Sequence, residues 1–429
     1  MDLRKIGFWL ISILTKERCF KYYEELKRRS MVEGLSREEL LQLQLDKFKR
    51  LLNFSVQNIP FYRQRFTGFD PLSIKTVDDI KHLPSLTKEE IKSAGPEAII
   101  QNQRRLINRR TSGTTGPPFE FVIDRDFFSI EFARNLRIFD LPGIELGEPW
   151  VLLTPLRGKK HPLFSWLCNR LVLDANRLIK EHTPPCCPQV SKNHLHTDES
   201  VIHEFLVKIR KHQPKAIYSY PSALTILATY VRKWNIRGVT IKIIISSGEV
   251  LTKEIRTFLE ETFNGEVFNL YGTTEFPTIA EECKAHNGLH IFADSYIVES
   301  VDGEILVTDL NNYTMPFIRF KTGDRGIIDN NECRCGRILP RLEIIEGRIS
   351  DLIILPDGRL LRRSFFATLF KKVPEITRFE IIQADRKISS GGKIRILLLV
   401  SKPLSETRKE FLIRRCQDHA GNSLEIIFQ

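Results

Sequence analysis

The rhythm of hydrophobic and polar positions changes twice along the chain. Between residues 16 and 53, leucines recur at helical spacing among Glu, Lys and Arg, and Ser36 followed by Glu38 and Glu39 marks an N-terminal cap. The run Asn58-Ile59-Pro60-Phe61-Tyr62 then breaks the helix. From about residue 100, short β-branched runs alternate with helical patterns, which predicts strands over residues 150–154, 216–218, 241–245 and 267–270. Helical spacing over 252–263 separates the last two, so they form a strand–helix–strand unit of a parallel sheet. After residue 290 the pattern turns to hairpins. Residues 295–299 face 304–308 across Val301-Asp302-Gly303, and 351–355 face 359–361 across Pro356-Asp357-Gly358.

The expected fold is α/β: a large domain over 1–346 with parallel sheets flanked by helices, then a small mobile α+β module over 347–429 joined near Gly347. A chain of 429 residues is too long for one ordinary core, and 42% apolar with 10% aromatic residues supports a packed globule. The net charge of +12 favours an anionic partner: nucleic acid, a membrane surface, or a polyphosphate such as ATP or CoA. No aromatic–basic platform or reading helix accompanies that charge, which sets nucleic acid aside. The apolar run Ile6 to Leu14 is about half the length of a membrane span. It has no small-residue cleavage site and meets Lys16-Glu17-Arg18 directly, so it is expected to pack as a helix, with weak interfacial contact as the alternative. Eight scattered cysteines fit reduced thiols and a cytoplasmic protein without a transmembrane segment.

The most informative stretch is Arg109-Arg110-Thr111-Ser112-Gly113-Thr114-Thr115-Gly116-Pro117-Pro118. Its two glycines let successive amides turn toward one point, an anion nest, and four hydroxyls add donors for phosphate oxygens. No Gly-Lys-Ser/Thr follows at Walker spacing, so it is not a P-loop. Alone, such a stretch also reads as a flexible loop. Four more motifs follow: Ser246-Ser247-Gly248-Glu249 at a strand end, Tyr271-Gly272-Thr273-Thr274-Glu275, Thr322-Gly323-Asp324, and Gly347-Arg348-Ile349-Ser350-Asp351.

Taken in order, these motifs resemble the adenylate-forming (acyl-CoA synthetase-like) superfamily, from about residue 40 to the C-terminus. The resemblance implies that Thr111, Ser112, Gly113, Thr114, Thr115 and Gly116 cradle phosphates. It implies that Ser247, Gly248 and Glu249 lie along the adenine, that Tyr271 with Gly272 stacks on it, and that Asp324 holds the ribose hydroxyls. Thr274, Glu275 and Arg348 are the catalytic candidates, with Glu275 as a Mg²⁺ ligand and Arg348 at the joint between domains. The reaction so implied is attack of a carboxylate on the ATP α-phosphate, followed by transfer of the acyl group to CoA or another nucleophile. Tyr220-Pro221-Ser222 and Phe276-Pro277 resemble the acyl-pocket neighbourhood. The expected partners are therefore ATP, a small carboxylic acid and CoA, with a homodimer among the expected assemblies.

Within the superfamily the chain is similar to phenylacetate–CoA ligases and to CapK-like proteins of polysaccharide biosynthesis, through its N-terminal helix, the Asn58–Tyr62 run and two cysteine clusters. Glu282-Cys283-Lys284-Ala285-His286-Asn287-Gly288-Leu289-His290 and Cys333-Arg334-Cys335 supply a Cys3His set for structural zinc: Cys283, Cys333, Cys335 and either His290 or His286. Unliganded reduced cysteines are the alternative. Cys186-Cys187 between prolines reads as an irregular loop. Two departures from the family stand out. Phe119 follows Pro118 where many relatives carry lysine, and the chain ends at Ile426-Ile427-Phe428-Gln429, about where a Pro-x-x-x-Ser-Gly-Lys loop would begin. Gly391-Gly392-Lys393 reads as a hairpin turn and not as that loop. The small domain thus reads as truncated, and adenylation is expected to be slower by roughly 10²–10³, the cost of one transition-state donor. The alternative function is a nucleotide-binding relative with impaired catalysis.

Overall fold

The computed structural model describes residues 35–429 except 71–72, 102–105, 112–118, 146, 156–164, 167, 182–194, 347–351, 355–359, 363–365, 367–368, 371–372, 374, 384–393, 421–423 and 429, together with residues 22, 23 and 25. The apolar run at 6–14, Cys186-Cys187, Lys393 and the Gly347–Asp351 joint therefore lie outside the described residues. Among those described, no helix is long and apolar enough to cross a membrane.

Helix α1 (Arg37–Asn58) opens on Ser36, whose hydroxyl accepts the Glu39 amide while the Glu39 carboxylate accepts the Ser36 amide. The expected break becomes a junction: Pro60 is the first residue of α2 (Pro60–Arg65), where its missing N–H costs no hydrogen bond. Leu45, Phe48, Leu51 and Leu52 carry α1 into the first core. Helix α3 (Lys88–Ala94) follows, with a second capping box between Thr87 and Glu90. The hairpin β1 (Ile107–Arg110) and β2 (Glu120–Ile123) then leads into α4 (Arg125–Arg137).

An eleven-stranded sheet forms the body, in the order β12-β13-β14-β15-β11-β10-β9-β8-β7-β3-β4. Its parallel half contains β3 (Trp150–Thr154), β4 (Arg170–Asp174), β7 (Ala216–Ser219), β8 (Ile243–Ser247) and β9 (Glu266–Tyr271). A separate short pair, β5 (Ile179–Glu181) and β6 (Leu195–Thr197), precedes β7. The crossover helices α5 (Glu199–His212), α6 (Pro221–Lys233) and α7 (Lys253–Phe263) bury Phe205, Leu227 and Phe263 against Val151, Ile217, Ile244 and Val267. On another apolar cluster, Ile138, Phe139 and Ile144 meet Ile245, Phe268 and Leu270.

Strand β8 begins two residues later than its hydrophobic run suggests. Ile241 donates its amide to Phe263 at the end of α7, while the polar Ser246 and Ser247 are buried and continue the strand. The parallel arrangement holds for this half only. In the other half β10 (Ala280–Glu282), β11 (Leu289–Ile291), β12 (Tyr296–Val301), β13 (Glu304–Asp309), β14 (Phe320–Asp329) and β15 (Arg341–Glu346) pair antiparallel. The β12–β13 turn is tighter than expected. Val301 pairs with Glu304 across only Asp302 and Gly303, both at positive φ, the geometry of a two-residue hairpin.

Helix α4 is tied to this half by two buried ion pairs. Arg134 makes a bidentate pair with Asp309, and Arg137 reaches both oxygens of Asp294. Their guanidiniums also lie over the rings of Tyr296 and Phe292. Arg109 in β1 pairs with Glu131 of α4 at 2.6 Å, so the β1–β2 hairpin is fixed to the sheet through that helix. Beyond the sheet, β16 (Leu352–Ile354) pairs antiparallel with β17 (Leu360–Arg362). Strands β18 (Ile376–Gln383), β19 (Ile394–Val400) and β20 (Leu424–Phe428) form a three-stranded sheet. With α8 (Glu406–Ala420) they enclose a separate core that includes Phe366, Phe370, Ile396, Leu398 and Leu412.

Candidate nucleotide site and metal centre

Three of the motifs fall just past the carboxyl ends of adjacent parallel strands: Tyr220 after β7, Gly248 and Glu249 after β8, and Gly272 to Glu275 after β9. Ligands of open α/β sheets bind at that edge. Two glycines there are required by close approach. Gly248 has φ +78° and a Cβ on it would lie 2.4 Å from the Tyr220 ring, while a Cβ on Gly272 would meet the Pro277 carbonyl at 2.1 Å. The loop after β9 is closed by Thr273, whose amide donates to the Phe276 carbonyl and whose hydroxyl accepts the Phe276 amide. That closure turns Thr274 to solvent and Glu275 inward.

The Tyr271 hydroxyl donates to Asp324 Oδ2 at 2.9 Å, which joins the Tyr-Gly and Thr-Gly-Asp motifs across the sheet. Asp324 is positioned by Thr322, whose hydroxyl accepts the Asp324 amide and donates to the Ile305 carbonyl. Glu275 is almost completely buried. The Lys88 ammonium stands 2.9 Å from its Oε1, yet without hydrogen-bond geometry, so among the described residues that oxygen has no hydrogen-bond partner. Glu249 accepts both the amide and the hydroxyl of Ser222 and so caps the N-terminus of α6. The loop expected to cradle phosphates, Ser112 to Pro118, lies outside the described residues, as does Arg348. Its neck is described: the Thr111 amide donates to the Phe119 carbonyl, and the Thr111 hydroxyl accepts the Phe119 amide.

The cysteine clusters converge. Ligand atoms of Cys283, His290, Cys333 and Cys335 all lie within 4.8 Å of one another. The Cys283–Cys333 sulfur separation is 3.8 Å, and Cys335 Sγ stands 3.3 Å from His290 Nε2. A tetrahedral zinc with Zn–S bonds near 2.3 Å spaces its sulfurs by about 3.8 Å. The remaining ring nitrogen of His290, Nδ1, faces the Leu339 carbonyl at 3.4 Å, which suits a ligand presenting Nε2. Burial, helped by Arg337 and Arg341, lowers the His290 pKa to about 4, so the imidazole is neutral as a ligand must be. His286 does not join the set; it hydrogen-bonds Glu282 and Glu266 instead. The described cysteines are all free thiols.

Sequence reasoning missed Lys88, which is an isolated lysine in a charged first turn, and Glu281, a fully buried carboxyl on β10 beside the site strands. Nothing in local spacing distinguishes either from a surface charge.

The motif loops thus lie at the carboxyl edge of the parallel strands of an α/β body. No family model matches the sequence. A phenylacetate–coenzyme A ligase of Thermus thermophilus is 27% identical over 369 residues, 80% of this chain and 78% of the relative. Protein CapK of Staphylococcus aureus is 25% identical over 332 residues, 74% of this chain and 69% of the relative. In fold the chain is similar to a 2-hydroxyisobutyryl-CoA ligase in complex with 2-HIB-AMP and CoA, with a TM-score of 0.66, 20% identity, and coverage of 92% and 87%. These similarities in sequence and in fold support the resemblance to the adenylate-forming superfamily that the motifs carry.

Proposed function

We propose that the protein uses ATP to convert a carboxylic acid to an acyl-adenylate and then transfers the acyl group to CoA, as an AMP-forming acid–thiol ligase. The observation that carries this reading is the convergence of Tyr271, Asp324 and the buried Glu275 at the carboxyl edge of the parallel strands, beside the neck of the Thr111–Phe119 loop. A carboxylate oxygen of the acid attacks the α-phosphorus and pyrophosphate leaves. The CoA thiol then attacks the acyl carbonyl and AMP leaves. Neither step needs a protein nucleophile, so the chain acts by alignment and by stabilising phosphate charge.

In this reading the Tyr271 ring stacks on adenine and Asp324 accepts from the ribose hydroxyls. The amides and hydroxyls of Thr111 to Gly116 hold phosphates, while Ser247, Gly248 and Glu249 form the adenine wall. Thr274 and Arg348 contact phosphate or ribose as the small domain, residues 347–429, closes. The buried Oε1 of Glu275, which faces the Lys88 ammonium and has no hydrogen-bond partner among the described residues, fits a hard divalent cation, and Mg²⁺ there would neutralise the polyphosphate. Zinc on Cys283, His290, Cys333 and Cys335 would be structural, since four protein ligands leave no open position for chemistry. Magnesium-dependent thioester formation, screened over a panel of carboxylic acids with CoA and ATP, tests the reading. Formation of AMP and thioester in equal amounts supports it; ATP turnover to ADP, whatever the acid, rules it out.

A further inference from the structure

We propose that Lys88 is a polyphosphate-binding cation, held on Glu275 in the nucleotide-free protein and released to the phosphates when a divalent cation takes that carboxylate; the proposal rests on the ligase reading above. Lys88 begins α3, where the Thr87–Glu90 capping box fixes its backbone. The preceding Leu86 forms an isolated parallel bridge with Phe320, accepting the Lys321 amide and donating to the Arg319 carbonyl. Phe320 opens β14, the strand that continues to Thr322 and Asp324. The lysine is thus mounted on the same strand as the carboxylate assigned to the ribose.

Its ammonium is also near the neck of the Thr111–Phe119 loop. Nζ stands 5.9 Å over the Phe320 ring, and Phe119, the residue that closes the loop's neck, stacks on the same ring at 6.3 Å. From there Nζ reaches Glu275 at 2.9 Å, with 21% of the lysine side chain exposed against 2% for the glutamate. The lysine therefore approaches from the open side of a carboxylate that is otherwise enclosed.

Two physical facts make this contact an exchangeable one. A buried carboxylate without a counter-charge is strongly disfavoured, and among the described residues the Lys88 ammonium at 2.9 Å is the counter-charge offered to Glu275 when no metal is present. But the Lys88–Glu275 contact lacks hydrogen-bond geometry, which leaves Oε1 able to accept a metal bond. Once a divalent cation sits on Glu275, the ammonium loses its partner. Its four-carbon stem lets it swing to a phosphate oxygen, where a charge-assisted hydrogen bond replaces the lost pair.

Calorimetric titration of the full chain with ATP and with AMP, each with Mg²⁺, tests the assignment. Lys88→Met should weaken ATP binding by roughly 10- to 100-fold, the range for one hydrogen bond to a charged group, and leave AMP within about twofold. An equal loss for both nucleotides, or no loss for ATP, overturns it. Because Lys88→Met also strands a buried carboxylate, a second variant guards the result. Glu275→Gln frees Lys88, so ATP binding without magnesium should tighten several-fold, and adding Lys88→Met should erase that gain. Unchanged magnesium-free affinity in Glu275→Gln overturns the proposal even if Lys88→Met fails to fold. A wild-type protein that binds neither nucleotide removes the ligase reading, and this proposal with it.

Discussion

Replacing Glu281 by methionine should stabilise the protein at neutral pH, although it deletes a charge-bearing residue from the middle of the sheet. Glu281 lies on β10, opposite Leu270 of β9 and His290 of β11, with no exposed surface. Among the described residues neither carboxyl oxygen has a hydrogen-bond partner. Burial, and after it the charge of Asp140, raises its pKa well above the ordinary 4.5, so the fold favours its neutral form. A buried polar group without partners costs about 1–3 kcal/mol, and methionine has nearly the same length without the polar oxygens.

The pH dependence has a definite sign. A raised folded pKa means the native state keeps a proton that the unfolded chain loses above about pH 4.5. The contribution of Glu281 is therefore fully present below that pH and declines as pH rises toward the folded pKa. Within that window each pH unit costs the wild type about 1.4 kcal/mol relative to a non-titrating variant. Urea unfolding of wild type, Glu281→Met and Glu281→Gln from about pH 5 to about pH 8 reads this as a widening gap in midpoints. A Glu281→Met protein less stable than wild type at the upper end of that range would show that the carboxyl has a partner, and would refute the argument.

Two further outcomes follow from the site. Protein purified without added metal should carry close to one zinc per chain; Cys333→Ser and Cys335→Ser should each lower that content by elemental analysis and depress the melting temperature, and unaltered values in both would remove the metal centre. Gly272→Val forces a Cβ onto the Pro277 carbonyl, so it should cost about 1–3 kcal/mol of stability and abolish nucleotide binding; retention of wild-type ATP affinity by calorimetry would contradict the loop geometry.

The legible parts of this protein were those written in contiguous residues. Hydrophobic runs at βαβ spacing located β3, β7, β9 and α7 because strands buried on both faces read as unbroken apolar stretches. The Tyr-Gly and Thr-Gly-Asp motifs were legible because a close turn or positive φ leaves glycine as the residue that fits, as at Gly272 and Gly323. The cysteine cluster was legible from Cys333-Arg334-Cys335, but which histidine joins it needed the fold: His286 turns toward the acids of β9 and β10, while His290 faces the thiols.

Burial of charge was not legible at all. Glu281 and Glu282 look alike in sequence. Yet Glu282 is held by Arg256, His286 and the Asn269 amide, whereas Glu281 on the other face has no such partners among the described residues. Lys88 meets Glu275 only because the Leu86–Phe320 bridge brings an early turn onto a late strand, a pairing that no local periodicity carries. Lys88 would also supply a phosphate cation where Phe119 follows the loop's prolines.

The most direct test of the account is ATP–pyrophosphate exchange by the full chain across a panel of carboxylic acids, with Glu275→Gln as the paired control. The account predicts that label from pyrophosphate enters ATP only when a suitable acid and Mg²⁺ are both present, and that Glu275→Gln removes the exchange. Exchange that is absent with every acid, while ATP still binds, would contradict carboxylate activation as the function of this site.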